Sequence, residues 1–339
     1  MLFEDIVSLN SPHTKSMLKL LFEERGIRIK KQWGQNFLID QNLLQFIAKT
    51  AELSRNDVVL EIGAGTGSLT RLIAEKAGHV FAVELDRKLF EILTETLKDF
   101  NNVTLINRDI LKSKHHIQPE IVEAISDYVH TAASATGDLC IKVISNLPYY
   151  ISTPVIIDLL QEVLPIKTMV LTLQRDTTNR MVAHPGTRNY GVLSIMTKLF
   201  ADVKVLKKLP PDVFWPVPLV DSAIVKMTVN RHRYAGRIRD YLGFQDVIRS
   251  IYSSRRKTLS NSLLSLCASH GIKKNPARIG TRPNGEAGRA GGETRQDLVT
   301  ILERVGIRPE SRGEELEIEA LIELSNEISD YVNSQKDFV

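Results

Sequence analysis

Residues 145–149 read Ser-Asn-Leu-Pro-Tyr and close the apolar run Leu139-Cys-Ile-Lys-Val-Ile144. An amide, a stiff turn and a phenol ring at the carboxyl end of a strand have the chemistry to receive a planar base bearing an amine. The Asn146 side chain and the Leu147 carbonyl can accept hydrogen bonds from an exocyclic N–H. Pro148 fixes the backbone between them, and Tyr149 can stack on the ring. A second aromatic candidate is Phe214, which opens Phe214-Trp-Pro-Val-Pro-Leu-Val-Asp-Ser222. It could cover the opposite face of the base, or it could be a core residue ahead of a proline-rich turn.

A second set of residues outlines a nucleoside. Val58-Val-Leu-Glu-Ile-Gly-Ala-Gly-Thr-Gly67 reads as a strand running into a glycine turn. Glycines at 63, 65 and 67 let the backbone turn sharply and approach a ligand. Glu84 ends the next apolar segment, where a carboxylate can accept hydrogen bonds from both hydroxyls of a ribose. Asp109 follows the third, placed to accept from an adenine amine. A dinucleotide fingerprint needs a glycine three residues after Gly65, and that position is Ser68. With no arginine cluster or second phosphate loop, S-adenosylmethionine fits better than NAD. The two half-sites together point to methyl transfer onto the amino group of a nucleobase.

Elements at regular spacing position these residues. Strands are expected at 58–62, 79–85, 103–106, 139–144, 168–174 and 223–229. Helices are expected at 11–26, 68–76, 88–98, 120–130, 153–163 and 244–267. Ser11 and Pro12 would start the first helix and Gly26 would end it. Such alternation implies an α/β fold with a parallel sheet covered by helices on both faces. A small helical part is expected after the last strand. The expected division is an N-terminal helix with a basic segment over 1–32, a methyltransferase domain over 33–230, a helical domain over 238–309 and an acidic extension over 310–339. Residues 112–137 read as an insertion without an identified role. Residues 284–292, with four glycines, read as a loop. The acidic extension reads as a helix carrying Leu316, Ile318, Leu321, Ile322 and Leu324.

The chain has 339 residues, 43% of them hydrophobic and 25% charged, which suits two globular parts rather than disorder. Its net charge of +4 is unevenly placed. Residues 310–339 hold nine acids and two bases, leaving +11 on the rest, a body suited to a polyanion such as RNA. Arg25, Arg28, Lys30 and Lys31 form one basic group, and Arg249, Arg255, Arg256 and Lys257 another. Each could grip phosphates or could be a solvated face. Cys140 and Cys267 offer neither metal-ligand spacing nor a disulfide framework. No run nears the ~20 apolar residues of a membrane span, and acids among the first 30 residues argue against a signal peptide. These features suggest a soluble, cytoplasmic protein without metal or membrane partner, acting as a monomer.

Over roughly residues 28–263, with a looser match to 304, the chain resembles the small-subunit ribosomal RNA adenine N6,N6-dimethyltransferases. The resemblance rests on Gly34-Gln-Asn-Phe-Leu38, Glu61-Ile-Gly-Ala-Gly-Thr-Gly67, Val83-Glu-Leu-Asp86 and Asn146-Leu-Pro-Tyr149. Tyr190-Gly-Val-Leu-Ser194, Phe214 to Ser222 and Arg255-Arg-Lys-Thr-Leu259 continue it in order. It implies a Rossmann-like class I methyltransferase domain with a small helical C-terminal domain. It also implies S-adenosylmethionine as donor and, as target, two adjacent adenosines near the 3′ end of 16S rRNA in an immature subunit, within ribosome biogenesis. By the same resemblance Asn36 and Leu38 would touch the methionine end, Gly63 would lie under the cofactor, Glu84 would take its ribose and Asp109 its adenine. Asn146 would bridge cofactor and target amine. Gln174-Arg-Asp-Thr177 replaces a Gln-Lys-Glu-Val type segment with its charges kept. The segment 112–137 and the loop at 284–292 are longer than usual, and 310–339 has no evident counterpart. Two rival readings stay open: a non-catalytic assembly or transcription factor on the same fold, and a large-subunit dimethyltransferase of the resistance type.

Overall fold

The computed structural model describes residues 13–113, 116–136, 138–161, 164–234, 236–253, 256–270 and 292–336. The strands are β1 (Phe37–Leu38), β2 (Asp57–Ile62), β3 (His79–Glu84), β4 (Val103–Asn107), β5 (Leu111–Ser113), β6 (His116–Ile117), β7 (Cys140–Asn146), β8 (Ile166–Gln174), β9 (Ala201–Leu209), β10 (Phe214–Trp215) and β11 (Ser222–Val229). The helices are α1 (Lys15–Glu24), α2 (Gln41–Thr50), α3 (Ser68–Ala74), α4 (Arg87–Thr96), α5 (Pro119–Thr136), α6 (Ser152–Gln161), α7 (Arg175–Met181), α8 (Val192–Phe200), α9 (Tyr241–Ser253), α10 (Leu259–Ser269), α11 (Gly292–Arg304) and α12 (Ile318–Lys336).

Seven strands form one sheet in the order β4-β3-β2-β7-β8-β11-β9. The first five run parallel, whereas β11 is antiparallel to both β8 and β9. The expected all-parallel sheet is therefore mixed, with one reversed strand near its edge. Every residue of β2 is buried, as expected of a central strand covered on both faces. The order reverses between β2 and β7, and a crevice at the carboxyl ends of the strands beside such a reversal is where α/β sheets bind ligands.

The chain divides into two compact units, Met1–Asn179 with Phe200–Asn230, and Arg180–Leu199 with Arg231–Val339. The first unit holds the sheet. Its core joins Leu44 and Ile47 of α2, Ile73 of α3 and Leu93 of α4 to Val59, Ile144, Val170 and Phe214. Thr14 caps α1; Ser11 and Pro12, expected to start this helix, lie outside the described residues. Gly26, at φ +56°, ends that turn as expected. The insertion contributes α5, whose Ile121 and Ile125 are buried. Its Tyr128 stacks on His79 of β3 at 4.1 Å, so the segment is a helix covering the sheet.

The second unit is helical. The expected helix 244–267 is two helices, α9 and α10, the latter entered through Thr258 in extended conformation. The acidic segment does not stand apart as an extension. Ile318, Leu321, Ile322 and Leu324 are all essentially inaccessible, and α12 packs on α9 and α11. Its acids are used as well: Glu317 pairs with Lys198, Glu327 with Arg304 and Asp330 with Arg239. Residues 180–199, expected within the methyltransferase domain, also belong here. Fully buried Tyr190 donates its hydroxyl to the Leu316 carbonyl at 3.0 Å. Of the expected loop at 284–292, residues 284–291 lie outside the described residues, and Gly292 begins α11.

Candidate active site

One cavity in the first unit is lined by Asn36, Leu38, Gly63, Glu84, Asp109, Asn146, Leu147, Pro148 and Tyr149. Nine expected site residues, scattered over a hundred positions, thus meet at the carboxyl ends of β2, β3, β4 and β7. The parallel register brings them there, because each strand ends in a polar residue or a turn on the same sheet edge.

The glycine turn is fixed by its neighbours. Gly63 has φ +76°, and a Cβ built on it would lie 2.9 Å from Cγ of Pro148. No side chain fits there, and the turn and the Asn-Leu-Pro-Tyr segment touch because none is present. Gly65 has φ +60° and lies against the Phe37 ring in the same way. The Gly65 N–H donates to Glu84 Oε2, and the Asp86 N–H donates to Oε1, both at 2.8 Å. Glu84 therefore clamps the turn as well as facing the cavity. A carboxylate has about four acceptor positions, so two are left for hydroxyl donors. Burial raises its pKa, against the lowering effect of those two amides.

Asn146 donates from Nδ2 to the Asn36 carbonyl at 2.8 Å. Its amide is thereby oriented, and Oδ1 remains as an acceptor. Asn36 in turn donates to the Gly34 carbonyl at 3.1 Å, so the Gly34-Gln-Asn-Phe-Leu38 segment holds the Asn146 amide in place. The Tyr149 hydroxyl shares a 2.5 Å bond with Ser222 Oγ, which fixes the ring plane. Asp109 accepts the Leu111 N–H at Oδ1, 2.9 Å away.

Phe214 does not cover the base in this structure. It is fully buried, sits opposite Leu38 in the β1–β10 ladder and belongs to the sheet core. The pull of that apolar cluster on a ring with no polar handle accounts for the difference. Leu38 shares this role, lining the cavity from a buried position.

Three features were not anticipated. Glu61, in the cavity wall, is 2% exposed and one of its oxygens, Oε2, has no partner. Burial raises its pKa to about 8, opposed by the neighbouring Thr70 hydroxyl and assisted by the charge of Glu84. The signal was present, as an acid in the middle of an apolar strand. Tyr150 and Trp33 also line the cavity, Tyr150 being half exposed. Finally, His13 is buried with Nδ1 2.8 Å from Thr66 Oγ1 and 2.9 Å from Ser68 Oγ, at the glycine turn.

Two members of the basic N-terminal group have acidic partners. Arg25 makes a two-pronged pair with Glu95, and Lys30 pairs with buried Asp86 at 3.0 Å while lying over the Trp33 ring. Arg249, Arg256 and Lys257 are exposed, Arg249 within 3.6 Å of Asp246. Arg255 lies outside the described residues. Among the described residues no cluster of His, Cys, Asp or Glu could hold a metal, and no helix is long and apolar enough to cross a membrane.

The solved structure of a dimethyladenosine transferase from Plasmodium falciparum superimposes with a TM-score of 0.65 at 23% identity, over 88% of this chain and 97% of that one. The 23S rRNA methyltransferase ErmE gives 0.53 at 23% identity, over 86% and 99%. At that identity the likeness shows a class I methyltransferase fold. Sequence similarity reaches further. A protein of Streptococcus sanguinis called ribosomal RNA small subunit methyltransferase A is 39% identical over 304 residues, 90% of this chain and 93% of the relative. A protein of the same name from Bacillus thuringiensis is 37% identical over 313 residues, 92% of this chain and 96% of the relative. The family model for ribosomal RNA adenine dimethylase matches residues 26–287. On this match and the site that accompanies it, the chain belongs to the ribosomal RNA adenine dimethylase family.

Proposed function

We propose that this enzyme dimethylates the N6 amines of two adjacent adenosines near the 3′ end of 16S rRNA, using S-adenosylmethionine, during small-subunit assembly in the cytoplasm. The observation that carries the reading is the Asn146 amide, oriented by the Asn36 carbonyl so that Oδ1 is free to accept. The small-subunit target follows from the relatives' name. We further infer that the protein acts as a monomer on an immature subunit rather than on naked RNA.

The residues present suit the cofactor. Gly63 lines the cavity without a side chain, Glu84 retains acceptor capacity for ribose hydroxyls, and Asp109 has an oxygen for an adenine amine. When bound, S-adenosylmethionine supplies an electrophilic methyl on a sulfonium.

The exocyclic nitrogen of adenine is a weak nucleophile because its lone pair is delocalised into the ring. Hydrogen bonds from N6–H to Asn146 Oδ1 and the Leu147 carbonyl favour a pyramidal nitrogen and free that pair. Catalysis is then chiefly alignment and electrostatics. No base is required beforehand, since the alkylated nitrogen is acidic and loses its proton readily. The adenosine must leave its stack to reach the pocket, and Tyr149, with its hydroxyl pinned by Ser222, offers a ring to receive it.

Mass spectrometry of rRNA from cells lacking the protein tests the assignment. Loss of a pair of dimethyladenosines from small-subunit RNA is the expected result. Loss from large-subunit RNA would favour the resistance-type reading, and unchanged RNA would favour the assembly-factor reading.

A further inference from the structure

The segment between β10 and β11 has a composition that the chemistry above does not use. It reads Trp215-Pro-Val-Pro-Leu-Val220, without a charge. Leu219 is as exposed as a side chain in an extended chain, at 102%, with Val217 at 56% and Val220 at 44%. Single exposed aliphatics are ordinary. Three in six residues, at the tip of one loop, mark a contact.

The fold ties both ends of this loop to the cavity. At its start, Trp215 and Phe214 pair with Phe37 and Leu38, and Leu38 lines the cavity. At its end, Ser222 Oγ shares a 2.5 Å bond with the Tyr149 hydroxyl. Ser222 also stands opposite Gln174, the last residue of β8, so the loop springs from the sheet edge that carries Asn146. Its carboxyl end is fastened twice more, by the Arg175 N–H to the Asp221 carbonyl at 2.9 Å and by the Arg175–Asp221 ion pair at 3.0 Å. Pro216 and Pro218 restrict the backbone between these anchors. The tip is thus held firmly out from the rim, and little conformational entropy is lost when it inserts.

We propose that Leu219, flanked by Val217 and Val220, is an aliphatic wedge that enters the RNA stack beside the target and occupies the gap left by the extruded adenosine. The inference rests on the rRNA adenosine reading above. Apolar side chains at the edge of nucleic-acid sites act in this way between base steps, and extrusion costs least when the gap is filled. Three side chains are far too few for a stable protein interface of roughly 800 Å² per partner, but they suit a gap one base wide. Exposed Lys208 of β9 lies opposite Ala223, next to the root of the loop, where it can meet a flanking phosphate.

Single-turnover methyl transfer to immature small subunits would be compared for wild type, Leu219→Ser, Leu219→Met and Leu219→Lys, with S-adenosylmethionine affinity measured for each. Wild-type activity first establishes that the substrate reading holds; without it that reading fails, whatever the loop does. Given activity, the wedge predicts that Leu219→Ser slows transfer by about tenfold or more, that Leu219→Met stays within about threefold of wild type, and that cofactor affinity does not change. Equal rates for wild type and Leu219→Ser would overturn the wedge. So would a Leu219→Lys rate at or above wild type, because the position would then be a phosphate contact. In small subunits carrying 2-aminopurine next to the target, the wild type should raise the fluorescence and Leu219→Ser should not; equal signals from both would also overturn it.

Discussion

Replacing Glu84 by alanine should separate cofactor binding from chemistry. The carboxylate is 7% exposed, so little further surface is dehydrated when a ribose arrives. Two of its acceptor positions are taken by the Gly65 and Asp86 amides at 2.8 Å, which leaves about two for the ribose hydroxyls. Hydrogen bonds to a charged group contribute about 1.5–3 kcal/mol. Sharing the carboxylate with two amides weakens each remaining bond, so the two hydroxyl bonds together should be worth about 1.5–3 kcal/mol, the range of a single unshared one. At about 1.4 kcal/mol per decade, S-adenosylmethionine should bind Glu84→Ala about 10- to 150-fold more weakly in titration calorimetry. The rate at saturating cofactor should fall much less, because the ribose hydroxyls lie several bonds from the methyl being transferred. The variant also strands two amide donors at the turn, so its melting temperature should drop, and binding is to be read below that temperature. A folded Glu84→Ala protein with wild-type affinity would refute the assignment of Glu84 to the ribose.

Asn146→Ala should lose about 100-fold or more in single-turnover transfer, the usual cost of removing one aligned polar group, while RNA affinity stays near wild type; near wild-type transfer would exclude the amide from the mechanism. Gly63→Ala must place a methyl at φ +76° against Pro148, and denaturant titration should show it less stable by about 1–3 kcal/mol, with cofactor binding impaired. The Glu61 carboxyl, raised to about 8 by burial, binds its proton more tightly folded than unfolded. The stability of the wild type should therefore fall as pH rises from the unfolded value near 4.5 to about 8, and level off above it. Calorimetric melting of Glu61→Gln across this range should lack that decline, and parallel profiles for the two proteins would contradict it.

Much of the site is legible in the sequence because its signals are local. A glycine turn after an apolar strand, with single acids closing the next two strands, stands out without knowledge of the fold. Glu61 is equally local, an acid at an inward position, yet its role depends on a burial that only the assembled sheet defines. The strand β9 escaped because Lys204, Lys207 and Lys208 interrupt its hydrophobic pattern. Charges of this kind are what an edge strand carries to deter pairing. Phe214 was ambiguous for a different reason. An aromatic before a proline-rich turn serves a core or a binding face equally well, and its pairing with Leu38, 176 positions earlier, decides the matter. The acidic segment at 310–339 looked peripheral by charge, whereas its apolar stripe at helical spacing determined its fate. The partners of its acids, Lys198, Arg239 and Arg304, come from three separate stretches of chain.

The central claim is that this site transfers methyl groups to paired adenosines of small-subunit rRNA. Its most direct test is mass spectrometry of rRNA from purified immature small subunits and from large subunits, each incubated with the protein and S-adenosylmethionine. The account predicts N6,N6-dimethyladenosine at two adjacent positions near the 3′ end of small-subunit RNA, with monomethyladenosine only at early times and no product in large-subunit RNA. Preferential modification of large-subunit RNA, or cofactor binding without methylation of either RNA, would contradict it.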